Sequence, residues 1–199
     1  MVAGGTAWGT AWAQATPGTV APDGDKAAGD IPARFAAAEG SYDYDKRDVM
    51  IPMRDGVKLH AVIVVPHASR GAPMMLDRTP YSASNATKGV GPHAVDVVRT
   101  MDRDLIRHGY IVVHEDVRGK YGSGGDYVMN RPLAGPLNPT KVDHSTDTWD
   151  TIDWLVHHVS ESNGRVGTYG ISYDGFTTLM SLVHPHPALH AAVPMNPMV

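Results

Sequence analysis

Between Pro73 and Val193, short apolar runs alternate with stretches of helical periodicity. Pro73–Asp77, Tyr110–His114, Arg165–Tyr169 and His190–Val193 are the apolar runs. Tyr110–His114 is continuous rather than alternating, the mark of a strand covered on both faces, as in a parallel sheet. Between the runs, Ala94, Val97, Val98, Met101 and Leu105 share one helical face, and Gly109 is placed to end that helix. Trp149, Ile152, Leu155, Val156 and Val159 mark a second helix, with Ser145 or Thr146 as its expected cap. Phe176, Leu179, Met180 and Val183 stripe a third. Strands joined by helical crossovers imply a mostly parallel sheet with helices on both faces. Upstream, Val49, Ile51 and Met53 alternate with polar residues, and so do Val57, Leu59, Ala61, Ile63 and Val65. The two runs meet across Arg54-Asp55-Gly56, an antiparallel hairpin signal. Pro52 places the first strand at an edge.

The 199 residues suffice for one domain with a sizeable core. Net charge is −4 and Lys and Arg form no block, so neither nucleic acid nor an anionic membrane is expected as a partner. With no cysteine there is no disulfide, thiol nucleophile or thiolate metal site. No segment has the length of a membrane-spanning helix. Residues 1–43 read as leader and linker. Met1–Thr16 is uncharged, and Ala13-Gln14-Ala15 has the small-x-small form of a signal-peptidase site. A basic start and a Leu- or Ile-rich stretch are missing, so a disordered Ala/Gly-rich leader is an equal reading. Order is expected from Tyr44, and residues 44–199 read as one domain.

The chemistry concentrates at Val166-Gly167-Thr168-Tyr169-Gly170-Ile171-Ser172-Tyr173-Asp174-Gly175-Phe176. A β-run meets Gly170, a serine follows two positions later, and a helix starts at once. This is the layout of a nucleophile elbow, in which a strained turn lifts the serine oxygen above the sheet and over a helix N-terminus. Small residues are needed beside such a turn. The second glycine comes one position later than in the usual G-x-S-x-G, giving G-x-S-Y-x-G. A plain glycine turn between strand and helix is the competing reading of the hexapeptide.

G-x-S-Y-x-G resembles the serine motif of the family that contains α-amino-acid ester hydrolases, cocaine esterase and bacterial X-prolyl dipeptidyl peptidases. The α-amino-acid ester hydrolases are the most similar branch. The likeness also rests on Val49–Leu59, Arg78-Thr79-Pro80-Tyr81, Asp116–Ser123, Arg131-Pro132-Leu133, Asp150–Leu155 and His184–Leu189, in that order. It implies the N-terminal part of an α/β-hydrolase fold and a small-molecule ester or amide substrate, including β-lactams with an α-amino acyl group. No cofactor and no metal are implied, and a homo-oligomeric parent stays open. Ser172 would be the nucleophile that forms an acyl-enzyme. The Tyr173 N–H and the Tyr81 phenol would form the oxyanion hole, although a packed loop tyrosine is the plain reading of Tyr81. Resemblance and Ala13-Gln14-Ala15 together suggest a periplasmic or secreted protein.

Other residues invite weaker readings. Asp174 is too close to Ser172 to be a triad acid and reads as a charge at a helix N-terminus. Asp116 and Arg118 read as a structural salt bridge. His157-His158 and His184-x-His186 lack metal-ligand spacing, and the latter flanks Pro185 at a helix end. Gly119–Gly125 lacks phosphate-loop order. Trp149 and Trp154 read as core. In this fold the acid and histidine follow the serine along the chain, so the expectation is a truncated chain, inactive by itself, with an open sheet edge. The alternative is that His60 or His114 reaches Ser172.

Overall fold

A computed structural model describes residues 42–198. Ala13-Gln14-Ala15, the rest of the leader and the 17–33 linker lie outside the described residues. Six strands form one sheet in the order β1-β2-β4-β3-β5-β6. They are β1 (Tyr44–Pro52), β2 (Lys58–Pro66), β3 (Ala72–Thr79), β4 (Ile111–Asp116), β5 (Ser162–Ile171) and β6 (Leu189–Met195). β1 pairs antiparallel with β2, and β2 with β4; every later pairing is parallel. The hairpin turns where expected, with Gly56 at φ 84°, a left-handed conformation that costs glycine little. Pro52 sits on the edge strand, where a missing N–H breaks no ladder.

Helices cover both faces, and the strand side chains alternate between two clusters. Ile63, Val65, Ile111 and Val113 pack with Ile152, Leu155 and Val159 of α4 (His144–His158). Val64 and Val112 face the other way, onto Ala94 and Val97 of α2 (Ala94–Val97) and Ile106 of α3 (Arg103–Arg107). Ile152 and Leu155 are fully buried, each worth roughly 2–3 kcal/mol of transfer free energy. A short α1 (Ala83–Ala86) follows β3, and α5 (Tyr173–Met180) follows β5.

Several local expectations are corrected. The single helix over 94–105 is broken: Val98 and Arg99 are extended, at ψ 162° and 156°, and a 3-10 turn, Thr100–Asp102, precedes α3. The break lets Arg99 reach the carboxylates of Asp77 and Asp102 at 2.9 and 3.0 Å, and it leaves Met101 exposed. Gly109 does end α3, at φ 80°, with Gly109 N–H on the Ile106 carbonyl and Tyr110 N–H on that of Leu105, a Schellman cap. The cap of α4 is Asp143 rather than Ser145 or Thr146; its carboxylate accepts from both of their N–H groups. Trp149 is only half-buried, against the His186 ring, while Trp154 packs at the margin of the core. Val183 lies beyond the end of α5 and is exposed. His186 is buried, accepting the Ala188 N–H and facing Asp153.

The carboxyl ends of β3 and β4 are polar and buried. Their parallel register sets Asp77 beside His114, Arg78 beside Glu115 and Thr79 beside Asp116. Arg78 Nε donates to Glu115 Oε1 at 2.5 Å, and its Nη1 donates to the His144 carbonyl and Thr148 Oγ1, both at 2.9 Å. Thr151 Oγ1 donates to the other Glu115 oxygen. Burial raises the Glu115 carboxyl above its ordinary range, with Arg78 opposing. Removing one partner of such a pair strands a buried charge. Arg78→Met should therefore cost about 3–5 kcal/mol in urea unfolding. Arg47→Ala, which breaks a surface pair with Glu161, should cost about 1 kcal/mol or less.

Candidate active site

Ser172 is the single residue between β5 and α5. Its φ is 60° and its ψ −116°, a region a non-glycine residue occupies only when its surroundings enforce it. The enforcing contacts are on the backbone. Ser172 N–H donates to the Met195 carbonyl at 3.0 Å, and the Ser172 carbonyl accepts from Phe176 at 3.0 Å and Met198 at 3.1 Å. The side chain makes no capping bond, and the residue is exposed. The hydroxyl is thus presented above the C-terminal end of the sheet.

Both motif glycines are places of close approach. A Cβ on Gly170 would overlap the Asp174 backbone. A Cβ on Gly175 would sit 2.5 Å from the Met195 carbonyl oxygen and 3.2 Å from that of Gly170. The second glycine answers to the end of β6, where α5 crosses it, and this accounts for its position three residues after the serine. The position two after it is Asp174, buried and packed toward β3.

Tyr173 begins α5, and its N–H has no acceptor among the described residues. A free N–H at a helix start, beside a serine hydroxyl, can receive a developing oxyanion. Its ring is buried against Tyr127, His144 and Phe176. The Tyr173 hydroxyl faces His144 Nε2 at 3.5 Å. Burial, reinforced by Arg78, lowers the His144 pKa to about 3, so this imidazole stays neutral.

Tyr81 stands two residues beyond β3, the strand next to β5. Tyr81 is 59% exposed, so it is not packed among the described residues. The Tyr81 backbone is fixed by its N–H on Thr79 Oγ1, and Thr177 of α5 donates to the Arg78 carbonyl at 2.8 Å, tying α5 to the end of β3. Asp116 completes the bracing. It accepts from the Ala83 N–H at 2.7 Å, the Gly122 N–H at 3.2 Å and His60 Nδ1 at 2.8 Å. The Asp116–Arg118 bridge is corrected accordingly: Arg118 pairs with Asp147 and Asp55, both at 2.7 Å. Gly119–Gly125 is the turn held by Asp116 and Ser123.

No histidine bonds the Ser172 hydroxyl among the described residues. His60 is held between Asp116 and Asp48, and His114, fully buried, between Asp77 and Asp102. The alternative in which either serves the serine is therefore not supported. Asp174 is also reassigned. It is buried rather than a solvated charge at a helix start, and its pKa is pushed up to about 8, by burial first and by Asp77 second. A cavity of about 600 Å³ opens elsewhere, between β3, β5, β6 and α3, lined in part by Met75, Leu105, Val166 and Ala191, and includes neither Ser172 nor Tyr81. Among the described residues no group of three or more His, Asp or Glu side chains is placed so that it could hold a metal ion.

The model of the X-Pro dipeptidyl-peptidase (S15) family matches residues 55–199. The chain belongs to that family. Cocaine esterase of Rhodococcus sp. (strain MB1 Bresler) is 31% identical over 156 residues, 78% of this chain and 24% of the relative. A solved α-amino acid ester hydrolase superposes with a TM-score of 0.79 at 57% identity, covering 90% of this chain and 29% of that one. An aminopeptidase from a marine sediment Thaumarchaeota archaeon gives 0.78 at 50% identity, with the same coverages. The chain thus spans about a quarter of its curated relative and under a third of these solved structures. Its S15 relatives are esterases and hydrolases, and the sheet is that of an α/β hydrolase.

Within the S15 motif, the crowding at Gly175 gives a direct check. Gly175→Ala should cost about 1–3 kcal/mol, since a methyl there is overpacked against backbone that cannot turn aside. Gly124→Ala, whose nearest neighbour would be 3.5 Å away, should stay within about 0.5 kcal/mol. Thermal melting of the two variants compares them.

Proposed function

We propose that this segment carries the nucleophile and oxyanion hole of a serine hydrolase acting on α-amino-acid esters and amides, β-lactams with an α-amino acyl group among them. The observation that carries the reading is Ser172 held at φ 60° with its hydroxyl free, directly over the start of α5. A serine in that posture costs backbone strain of about 1–3 kcal/mol, tolerated where a reacting oxygen has to be displayed. Ser172 Oγ attacks the carbonyl carbon, and the carbonyl oxygen gains negative charge. The Tyr173 N–H and the Tyr81 phenol donate to that oxygen. Collapse expels the alcohol or amine and leaves an acyl-enzyme, which water hydrolyses.

The substrate class rests on the two most similar solved relatives described above, an α-amino acid ester hydrolase and an aminopeptidase. An α-amino acyl group is common to both names. A cocaine-esterase-like preference is the second reading, supported by the 31% identity to that enzyme. The general base and its acid are assigned to the part of the family's length that this chain does not span. Export to the periplasm, on the strength of Ala13-Gln14-Ala15, belongs to the same proposal.

The test is a chimera in which residues 42–198 replace the matching segment of the α-amino acid ester hydrolase. A fluorophosphonate probe should label it at Ser172, and Ser172→Ala should abolish labelling. Label on another serine would overturn the nucleophile. In the same chimera Tyr81→Phe should lower kcat by roughly 10²-fold with a smaller change in KM, because the phenol acts in the transition state. An unchanged kcat would remove Tyr81 from the oxyanion hole. The 199-residue chain by itself should not turn over phenylglycine methyl ester, since a serine without its base is poorly nucleophilic. Turnover near ~10 s⁻¹, lost in Ser172→Ala, would place the base within this chain.

A further inference from the structure

Under the nucleophile turn lies a closed group of ionisable side chains: Asp77 on β3, Arg99 and Asp102 around the 3-10 turn, His114 on β4 and Asp174 in the first turn of α5. Three of the five are acids and two are bases. Both bases are already committed. His114 Nδ1 lies 3.0 Å from Asp77 Oδ2, and Nε2 lies 3.1 Å from Asp102 Oδ2. With carboxylate oxygens at both nitrogens, the doubly protonated ring is the form that donates to each of them. Burial alone would lower its pKa, but Asp102 and Asp77 outweigh burial and raise it. Arg99 donates to Asp102 at 3.0 Å and to Asp77 at 2.9 Å. Its approach to Asp174 is 3.9 Å, longer than a hydrogen bond. Tyr169 donates its phenol to the remaining Asp102 oxygen at 2.8 Å and keeps its proton, its pKa raised well above the usual value by burial and Asp102.

Asp77 and Asp102 thus hold both bases between them, and Asp174 is the acid left over. Asp174 Oδ1 is buried and has no hydrogen-bond partner among the described residues, and the same is true of Asp77 Oδ1. A third carboxylate in this space would have only the distant Arg99 approach, at 3.9 Å, and would repel Asp77. The other elements packed on α5 offer no cation in its place. From α4, His144 faces Tyr173 and Phe176 and is neutral; from β6, the Met195 carbonyl approaches Gly175.

We propose that Asp174 is a positioning residue that keeps its proton across neutral pH, so that α5 begins on an uncharged side chain directly beneath Ser172. The consequence for chemistry rests on Ser172 being the nucleophile. An oxyanion forming at the Tyr173 N–H would share the start of α5 with Asp174. A carboxylate there would oppose it, whereas a neutral acid leaves the helix terminus free to favour it. The cluster of Arg99 and His114, locked onto Asp77 and Asp102, is what withholds a cation from Asp174 and so keeps it neutral.

Protonation is measurable without any activity. A carboxyl whose folded pKa is raised contributes stability that is whole below its unfolded value, near 3.8, and is lost as pH climbs toward the folded value of about 8. Across that window the wild-type 199-residue chain should lose up to about tenfold in its folding constant per pH unit relative to Asp174→Asn, and the difference should level off above it. Urea unfolding of both chains between about pH 5 and pH 8 gives the comparison, in which contributions from groups that do not interact with Asp174 cancel. Carbon-13 NMR of the Asp174 carboxyl, assigned by its absence in the variant or by selective labelling, should titrate above pH 7. The NMR titration on the wild type decides the matter even if Asp174→Asn fails to fold. A carboxyl titrating near pH 4, or unfolding curves with parallel pH dependence, would overturn the proposal. A chimera that labels at a serine other than Ser172 would overturn the function and leave the Asp174 proton standing, so the two failures are distinct.

Discussion

Charged side chains buried at the carboxyl ends of β3 and β4 have to be paired, and that requirement organises everything above the sheet. A buried ion repays its desolvation only when it has good geometry and further hydrogen bonds. Arg78 meets this by reaching Glu115, the His144 carbonyl and Thr148, which fixes α4 against β3 and β4. Asp116 meets it with two backbone N–H groups and His60, which fixes the loops after β3 and β4. Arg99 meets it by abandoning helical geometry altogether. The break at Val98–Arg99 gives up intrahelical hydrogen bonds of about 1 kcal/mol each, set against leaving Asp77 and Asp102 short of a cation, a larger loss.

The turn at Ser172 depends on a different constraint, the closeness of three backbones. β5 must end, α5 must begin and β6 must pass beneath within the width of Gly170 and Gly175. Ser172 absorbs the geometry in its own φ, and hydrogen bonds to Met195 and Met198 hold it there. Strain at one residue persists only where its neighbours over-determine it. Here the neighbours include β6, so the posture of the serine is a property of the sheet rather than of the hexapeptide.

Much of this was legible in the sequence because it follows from periodicity and turn chemistry. The hairpin at Asp55-Gly56, the apolar strand from Tyr110, the end of a helix at Gly109 and the strand–Ser–helix junction at Ser172 each have a local cause. The buried polar layer has none. Asp77, Arg78, His114 and Glu115 look like the polar ends of apolar runs, and only the register between β3 and β4 shows that they face one another. The one visible signal was charge at the carboxyl ends of two neighbouring strands. The broken helix after Ala94 was hidden for the same reason: its apolar spacing is helical, and a distant pair of aspartates overrides it. Asp143 outranks Ser145 and Thr146 as a cap because one carboxylate reaches both of their N–H groups as well as that of Ala134, a contact that depends on the path of the preceding loop.

Acyl transfer divides into a part that holds the electrophile's charge and a part that moves protons, and the two make different demands on a fold. Oxyanion donors must be in place before the reaction, because their contribution, roughly 10²–10³ per donor, disappears if they must reorganise. The Tyr173 N–H is fixed by the start of α5, and the Tyr81 loop is fixed by Thr79, Asp116 and the Thr177–Arg78 tie. All of these lie within residues 44–198, and in the proposed reading strands adjacent in the sheet would supply both donors. Proton transfer demands only that an imidazole come within hydrogen-bond reach of the serine, and it is worth more, about 10⁶ when its loss disables a comparable triad. It does not require the histidine to share the frame that strains the serine. In the proposed reading, then, β3, β5, α5 and β6 would fix the charge-holding part, whose geometry tolerates least error. The exposure of Ser172 and Tyr81 among the described residues is compatible with a base that approaches from above the sheet.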